Sequence, residues 1–290
     1  MSSRRSLLLS LAAAATLVAG ACTAPSGAEL DDPIDILVAG MTAAEQATSV
    51  HVETTMDGSV PLDLVDELGG SEPGLSGGGG SLDLTGSVVG ADVDREAEAA
   101  RITFSLPSFL SATGEIIVID EAAYVQTSLF GDAWYRFDES DMEGHGDGDA
   151  KPSSSPEDPE VALREALADL PTPPERLADE RCGDDDCYHV RLVMEPGVDD
   201  ELATIAPDWE GTGTADVWIR KSDQLPSQVV LTATGDGTDF KVTMTFGDWG
   251  QRFDITAPPA DQVLDGDELP FPGGELPFPG GEWVPMTEGA

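Results

Sequence analysis

The sequence predicts an α+β domain built on one antiparallel sheet, and three observations point to that fold class. Short runs with a period of two follow one another with brief connections, which is typical of an antiparallel meander and not of parallel β-α-β units. These runs carry apolar side chains on one face: Ile102, Phe104 and Leu106, for example, alternate with polar residues. Two segments with helical periodicity are available to cover that face, and a sheet with one apolar face needs such a cover.

The first helix is expected to begin at Pro33. Asp32 places a capping carboxylate directly before it, and proline is favoured at the first helical position. Apolar residues such as Leu37 and Met41 then recur at the helical spacing, so one side of the helix is expected to pack on the sheet. The period changes to two from Val50, which predicts the first strand.

The remaining helices and strands are predicted from the same two patterns, the helical spacing and the period of two. A second helix is expected over Pro159–Leu170 and a short one over Val198–Ile205. Loops are expected at the glycine-rich segment Gly69–Gly80 and at the acidic segment Asp138–Pro159. The further predicted strands are Leu82–Val89, Ala99–Leu106, Gly114–Ile119, Ala122–Ser128, Trp134–Phe137, Cys187–Met194, Gly213–Ile219, Ser227–Thr234 and Phe240–Phe246.

The N-terminus is typical of an export signal that ends in a lipidated cysteine. Arg4 and Arg5 precede an apolar run over Leu7–Val18, which is shorter than the roughly 20 residues that span a bilayer. The small residues at 19–21 lead directly to Cys22 and resemble the bacterial lipobox, in which the cysteine is acylated, with palmitate for example, and becomes residue one. The arginine pair also resembles a twin-arginine signal, so this export route and the general secretory route both stay open.

These segments divide the chain into four parts. We expect a lipoprotein signal peptide over residues 1–21, a lipidated tether over 22–32, the folded domain over 33–260 and a tail over 261–290. The tail repeats the sequence Glu-Leu-Pro-Phe-Pro-Gly-Gly from residue 268 and again from residue 275. Proline at that density blocks helices and strand ladders, so we expect this tail to be disordered.

The charge of the chain bears on its partners. It carries 56 acidic and 14 basic residues, for a formal net charge of −42. Such a charge repels phosphate backbones, so nucleic acid is not an expected partner. The acidic residues of the 138–159 loop do not have the spacing of an EF-hand calcium site, and solvation is their simpler interpretation.

Two further cysteines, Cys182 and Cys187, lie five residues apart. In an exported protein such a pair predicts a local disulfide that staples a turn. The alternative is a zinc site, which needs about four ligands. The three histidines are scattered along the chain, so we expect no metal site and no cofactor.

One formal catalytic motif occurs, at Gly74-Leu75-Ser76-Gly77-Gly78. It matches the nucleophile-elbow pattern of serine hydrolases, which needs a strand before the serine and a helix after it. Neither is predicted among these glycines, and no nucleophile and base stand in a credible context elsewhere. We therefore expect no catalytic residues and a protein that is not an enzyme.

Several segments, in order along residues 30–260, resemble the mycobacterial LppX/LprAFG lipoproteins, whose fold is similar to the LolA carriers. The resemblance implies a strongly curved antiparallel sheet, or half-barrel, with helices against its concave face and an apolar cavity for acyl chains between them. The matching segments after the lipobox are Ser49-Val50-His51, Ile116–Ile119, Ala123-Tyr124-Val125, Ala133-Trp134-Tyr135, Ala215-Asp216-Val217-Trp218-Ile219, Leu225-Pro226, Gly247-Asp248-Trp249-Gly250 and Ile255-Thr256-Ala257-Pro258.

The function that follows is that of a carrier. We expect a monomer that is anchored at the extracytoplasmic face of the cell membrane and binds or shuttles acylated lipids, glycolipids or lipoglycans. A transport protein of the cell envelope is a possible partner for this role. The expected lipid-lining residues, chosen because they alternate with polar neighbours, are Val52, Leu84, Ile102, Phe104, Leu106, Val217, Ile219, Leu231, Val242 and Met244. The alternative is a non-carrier scaffold or accessory lipoprotein of the same fold with a filled core, because the same side chains serve either purpose.

Overall fold

The computed structural model describes residues 29–61, 81–138, 159–194, 211–235 and 238–268. Within these ranges it contains two α-helices, α1 (Pro33–Gln46) and α2 (Pro159–Ala168), and one sheet of 14 strands. The strands are β1 (Ser49–Pro61), β2 (Ser81–Asp83), β3 (Ser87–Asp94), β4 (Ala99–Leu106), β5 (Ala112–Ile119), β6 (Ala122–Thr127), β7 (Trp134–Asp138), β8 (Glu175–Arg176), β9 (Glu180–Cys182), β10 (Asp185–Met194), β11 (Thr212–Arg220), β12 (Pro226–Gly235), β13 (Thr238–Gly247) and β14 (Val263–Asp265).

The sheet is a large curved meander that does not close. Its path runs β14-β7-β6-β5-β4-β3-β1-β13-β12-β11-β10-β8, with β2 paired to β1 and β9 paired to β10. Neighbouring strands are antiparallel except for β14, which pairs with β7 in parallel. The first strand therefore lies in the middle of the sheet, between β3 and β13, and joins two meanders into one surface.

The start of α1 is built as its sequence predicts. Asp32 Oδ1 accepts hydrogen bonds from the backbone N–H groups of Ile34, at 2.8 Å, and Asp35, at 3.3 Å. These bonds satisfy two of the donors that every helix leaves unpaired at its N-terminus. At the other end, the Arg95 guanidinium donates to the carbonyls of Ala44 and Glu45, which fixes the end of α1 beside the turn that follows β3.

Strand alternation separates the sheet into two faces, which we call the apolar face and the polar face. The apolar face carries Val52 in β1, Ala91 and Ile102 opposite it in β3 and β4, and Phe246 opposite it in β13. The polar face carries the intervening residues, such as His51 with Asp92 across from it.

Helix α1 covers one end of the apolar face. Ile36 is fully buried against Tyr188, Val190 and Ile219 from β10 and β11. Gly40 allows the close approach, because a Cβ atom there would lie 1.9 Å from Ile219 Cδ1. Helix α2 packs against α1 and is tied to it by an ion pair of 2.6 Å between Arg164 and Asp35.

The opposite end of the apolar face has its own core. Val125 and Tyr135 of β6 and β7 are buried there together with Phe137, and Phe130 packs edge-on against Tyr135. A third cluster lies on the polar face, where Ile255, from the segment after β13, covers Ile117.

Two features of the sheet differ from the sequence predictions. The predicted strand Leu82–Val89 is two strands, β2 and β3, because the chain turns at residues 84–86, where Gly86 has φ +77°. Strands β8, β9 and β14 were not predicted, since two or three residues are too short to display a period.

Some predicted segments lie outside the described residues. These are the helix over Val198–Ile205, the loop Gly69–Gly80, the segment 139–158 and the repeats from residue 269 onward. The ordered chain continues past residue 260, because β14 extends the sheet at residues 263–265 and a 3₁₀ helix follows over Gly266–Glu268.

Candidate functional site

The strand register places all of the predicted lipid-lining residues except Leu84 on the apolar face. Met244 lies opposite Val229, and Val229 lies opposite Val217, so the three share one side of β11–β13. On the other side of β1, Val52 lies opposite Ala91, and Ala91 lies opposite Ile102, so these residues also share one face. The residues brought together in this way are Val52, Ile102, Phe104, Leu106, Val217, Ile219, Leu231, Val242 and Met244.

Leu84 does not belong to this set. It was chosen as part of an alternating strand, but it lies in the turn between β2 and β3, where its N–H donates to the Gly58 carbonyl. Leu84 alternates with polar neighbours only by chance, because the period of two continues across the turn between β2 and β3.

Ile219 and Val217 lie on the apolar face but belong to its covered end. Ile219 is only 2% exposed beneath α1, and Val217 packs partly against the same cluster. These two side chains therefore contribute to the contact between α1 and the sheet, which leaves the centre of the face as the candidate binding surface.

The apolar centre consists of residues on β1, β4, β12 and β13, and its apolar side chains are half-buried. Phe104, Leu231 and Met244 are neither fully covered nor fully exposed within the described ranges. We define the apolar centre as Val52, Ile102, Phe104, Leu106, Leu231, Val242 and Met244, the part of the predicted set that α1 does not bury.

Sequence reasoning missed several residues of the same surface. Phe240 and Phe246 alternate with Val242 and Met244 along β13 and share their face. Met56, opposite Val242, belongs there as well. The signal was present in the sequence, because each of these positions continues the alternation that selected its neighbours.

The polar face carries a compact network around His189. Its Nε2 lies 2.8 Å from Asp216 Oδ1, and its Nδ1 lies 3.2 Å from Glu180 Oε1. The Arg191 guanidinium donates to both carboxylate oxygens of Asp216, at 2.8 and 3.1 Å. The imidazole stacks on Trp218 with ring centroids 4.3 Å apart, and the indole N–H donates to Glu180.

The electrostatics of this network favour an ionised Asp216. Burial by itself raises the pKa of this carboxyl, but the hydrogen bonds from Arg191 and His189 outweigh burial and hold the pKa below its ordinary value. The arrangement ties β9, β10 and β11 together across their polar side. Within the described residues, no group of three or more histidine, cysteine or acidic side chains is arranged to hold a metal ion.

The predicted disulfide between Cys182 and Cys187 is confirmed. It joins β9 to β10 across a hairpin in which Cys182 lies opposite Asp185 and Glu180 lies opposite Cys187. The bond therefore holds the short edge strand β9, and with it Glu180, beside His189.

Two depressions of about 450 Å³ each are formed by described residues away from the apolar centre. One lies between α1, α2 and the β11–β12 connection, where Val38, Ala39 and Arg164 line it. The other lies beside β14, next to Ala133 and Leu264. Neither is lined by residues of the apolar centre, so the enclosed acyl-chain cavity stays a prediction.

The chain matches no family model and no curated protein. Among solved structures it is similar to the lipoprotein LppX of Mycobacterium tuberculosis, at 14% identity and a TM-score of 0.47 over 77% of this chain and 98% of that one. It is also similar to LprF of Mycobacterium bovis, at 16% identity and a TM-score of 0.46 over 78% of this chain and 96% of that one.

A weaker similarity is to the MucA/MucB complex of Pseudomonas aeruginosa, at 13% identity and a TM-score of 0.32 over 80% of this chain and 60% of that one. None of the helices in the described ranges is long and apolar enough to cross a bilayer. LppX and LprF are two of the mycobacterial lipoproteins of the type that the sequence resembles.

Proposed function

We propose that this protein is an envelope lipoprotein that binds the acyl chains of a lipid or lipoglycan on the apolar centre of its sheet. The observation that carries the proposal is the half-buried state of that centre between two packed ends. At one end Ile36 of α1 covers Ile219, and at the other Val125 and Tyr135 form their own core. A contiguous apolar surface left between them is typical of a binding site.

The energetics suit a carrier and need no catalytic group. Burying an acyl chain gains roughly 0.8 kcal/mol per CH₂, so a chain of about sixteen carbons gains on the order of 12 kcal/mol on leaving water. A bilayer offers nearly the same gain. Exchange between membrane and protein is therefore close to balanced, and a non-catalytic apolar surface near the membrane is sufficient.

The proposal also includes a membrane anchor at the N-terminus of the mature chain. The proposed export signal over residues 1–21 ends directly before Cys22, and acylation of Cys22 would hold the chain at the extracytoplasmic face of the membrane. We propose that residues 22–32 form the lipidated tether, that residues 33–260 form most of the lipid-binding domain, and that the protein acts as a monomer.

The ligand is tested by native mass spectrometry of the purified chain, with Met244→Lys compared against Thr245→Lys. Met244 lies on the apolar face, whereas its neighbour Thr245 is exposed on the polar face opposite Glu53. A cation among acyl chains is strongly disfavoured. We expect wild type and Thr245→Lys to carry lipid and Met244→Lys to lose it, with all three folded.

A wild-type chain without lipid would contradict the proposal, as would equal lipid content in the two variants. Absence of lipid together with strong destabilisation by Met244→Lys would support the scaffold alternative, because it would show that the centre is a closed core.

The anchor is tested separately with Cys22→Ser. We expect this variant to leave the membrane fraction or to stay unprocessed, and a clickable palmitate analogue to label wild type only. A variant that is still cleaved at the same place and stays membrane-bound would show that the anchoring proposal is wrong.

A further inference from the structure

The residues that directly precede α1 are held against the sheet edge by three side chains from distant parts of the chain. Arg176 of β8 donates to the Leu30 carbonyl at 2.9 Å and to the Asp31 carboxylate at 2.7 Å. The Leu30 N–H donates to the Tyr188 hydroxyl at 3.0 Å, and Lys221 donates to Glu29 at 3.4 Å. We call this set, Arg176, Tyr188 and Lys221 around residues 29–31, the N-terminal clamp.

The clamp is braced by groups outside the segment that it holds. Asp179 accepts hydrogen bonds from Arg176, at 3.1 Å, and from Lys221, at 2.5 Å. Both cations also lie over the Tyr188 ring, 5.3 and 4.8 Å from its centroid. Tyr188 is only 4% exposed and packs against Ile36, so the clamp is continuous with the core beneath α1.

The position of the clamp limits how far the domain can move from an acylated Cys22. The seven peptide units from Cys22 to Glu29 reach at most about 25 Å, whereas a chain free up to Pro33 would reach about 40 Å. The sheet path runs through twelve strands from β8 to β14, which is about 50 Å measured along the curved sheet at the usual strand spacing.

We propose that the N-terminal clamp orients the domain on a lipid surface, with the β8–β10 edge held next to the bilayer and the β14 edge away from it. This inference rests on the proposed acylation of Cys22. The edge is rich in carboxylates such as Asp179 and Asp186, so the tether and not attraction to anionic headgroups sets the orientation. Lipid then passes between bilayer and apolar face from the edge where α1 begins.

The test uses the acylated full-length chain in vesicles of neutral phospholipid that contain a headgroup-linked energy acceptor. A donor dye is placed near the clamp through Ala178→Cys or at the far edge through Asp132→Cys, both at exposed positions. Because the near edge is confined to about 25 Å and the far edge is not, we expect transfer from the near dye to exceed transfer from the far dye at least about threefold.

Two variants are designed to remove the preferred orientation of the domain on the vesicle. Arg176→Ala combined with Lys221→Ala removes the clamp, and insertion of a Gly/Ser spacer of about ten residues between Ser26 and Gly27 lengthens the tether without touching the domain. In both variants we expect the ratio of energy transfer from the near dye to energy transfer from the far dye to approach one. The matched control is Arg220→Ala, which removes an edge cation that pairs with Asp223 instead of the N-terminal segment and should leave the ratio unchanged.

Equal transfer from both dyes in vesicle-bound wild type would overturn the orientation proposal, as would a ratio that survives the spacer. Failure of the chain to bind vesicles at all would instead overturn the anchor. The clamp can also be tested in the absence of a membrane. Hydrogen exchange at the Leu30 amide should be faster in Tyr188→Phe, which keeps the aromatic ring and removes the hydroxyl that accepts the Leu30 hydrogen bond.

Discussion

The side chains on the two faces of the sheet are stabilised in different ways. Apart from the cluster around Ile117, the polar face pairs side chains with one another across neighbouring strands. His51 pairs with Asp92 at 2.6 Å and Arg191 with Asp216 at 2.8 Å. The apolar face has no such local solution, because an aliphatic side chain is satisfied only when another apolar surface covers it. Ile36 of α1 supplies that surface at one end of the sheet.

This difference supports the proposed location of the binding surface. Pairs on the polar face need only the register of two adjacent strands, so they form as the sheet forms. The apolar face needs an element from elsewhere, and its centre, around Phe104 and Met244, is half-buried in the described structure. The difference between the faces therefore supports the proposal that the apolar face binds the ligand, while the polar face stabilises the sheet.

The sharpest test of the apolar face compares its covered end with its centre. Ile36→Ala should lower the free energy of unfolding by about 4 kcal/mol, because it leaves a cavity under α1. Leu231→Ala, at the half-buried centre, should lower it by about 1 kcal/mol, because less area is lost from a packed environment. Denaturant unfolding followed by tryptophan fluorescence measures both, and equal losses would show that the two regions are packed alike.

The polar face is tested by removing one acid from a buried pair and one from an exposed pair. Asp216→Ala removes the carboxylate that pairs with the buried His189 Nε2 and with the Arg191 guanidinium, and it should lower the free energy of unfolding by about 3 kcal/mol. Asp92→Ala removes the partner of His51, whose side chain is 38% exposed, and should lower it by less than about 1 kcal/mol. A larger loss in Asp92→Ala would contradict this ranking.

A smaller effect is expected from acid. The pKa of Asp216 is held below its ordinary value of 3.8, so its contribution to stability is present above about pH 4 and is lost as the pH falls through the folded-state pKa. Asp216→Asn, which lacks this titration, should lose less stability than wild type between pH 5 and pH 3. Denaturant midpoints at several pH values measure the difference, and parallel pH profiles would show that Asp216 is not coupled to folding.

The sequence by itself was sufficient for elements with a long enough local pattern. Asp32 and Pro33 define the start of α1, and the alternation of Ile102, Phe104 and Leu106 gives β4 with the bounds that the structure shows. The same alternation determined which residues share the apolar face. The spacing of Cys182 and Cys187 was enough to predict their disulfide.

The tertiary structure decided which of these residues are covered and which polar side chains meet. Leu84 and Ile219 show the limit of a local pattern, since one lies in a turn and the other lies beneath α1. Asp216 and His189 are 27 residues apart, and Leu30 and Tyr188 are 158 residues apart. Periodicity reports the conformation of neighbours along the chain, whereas the register between strands and the position of α1 depend on packing between residues that are distant in sequence.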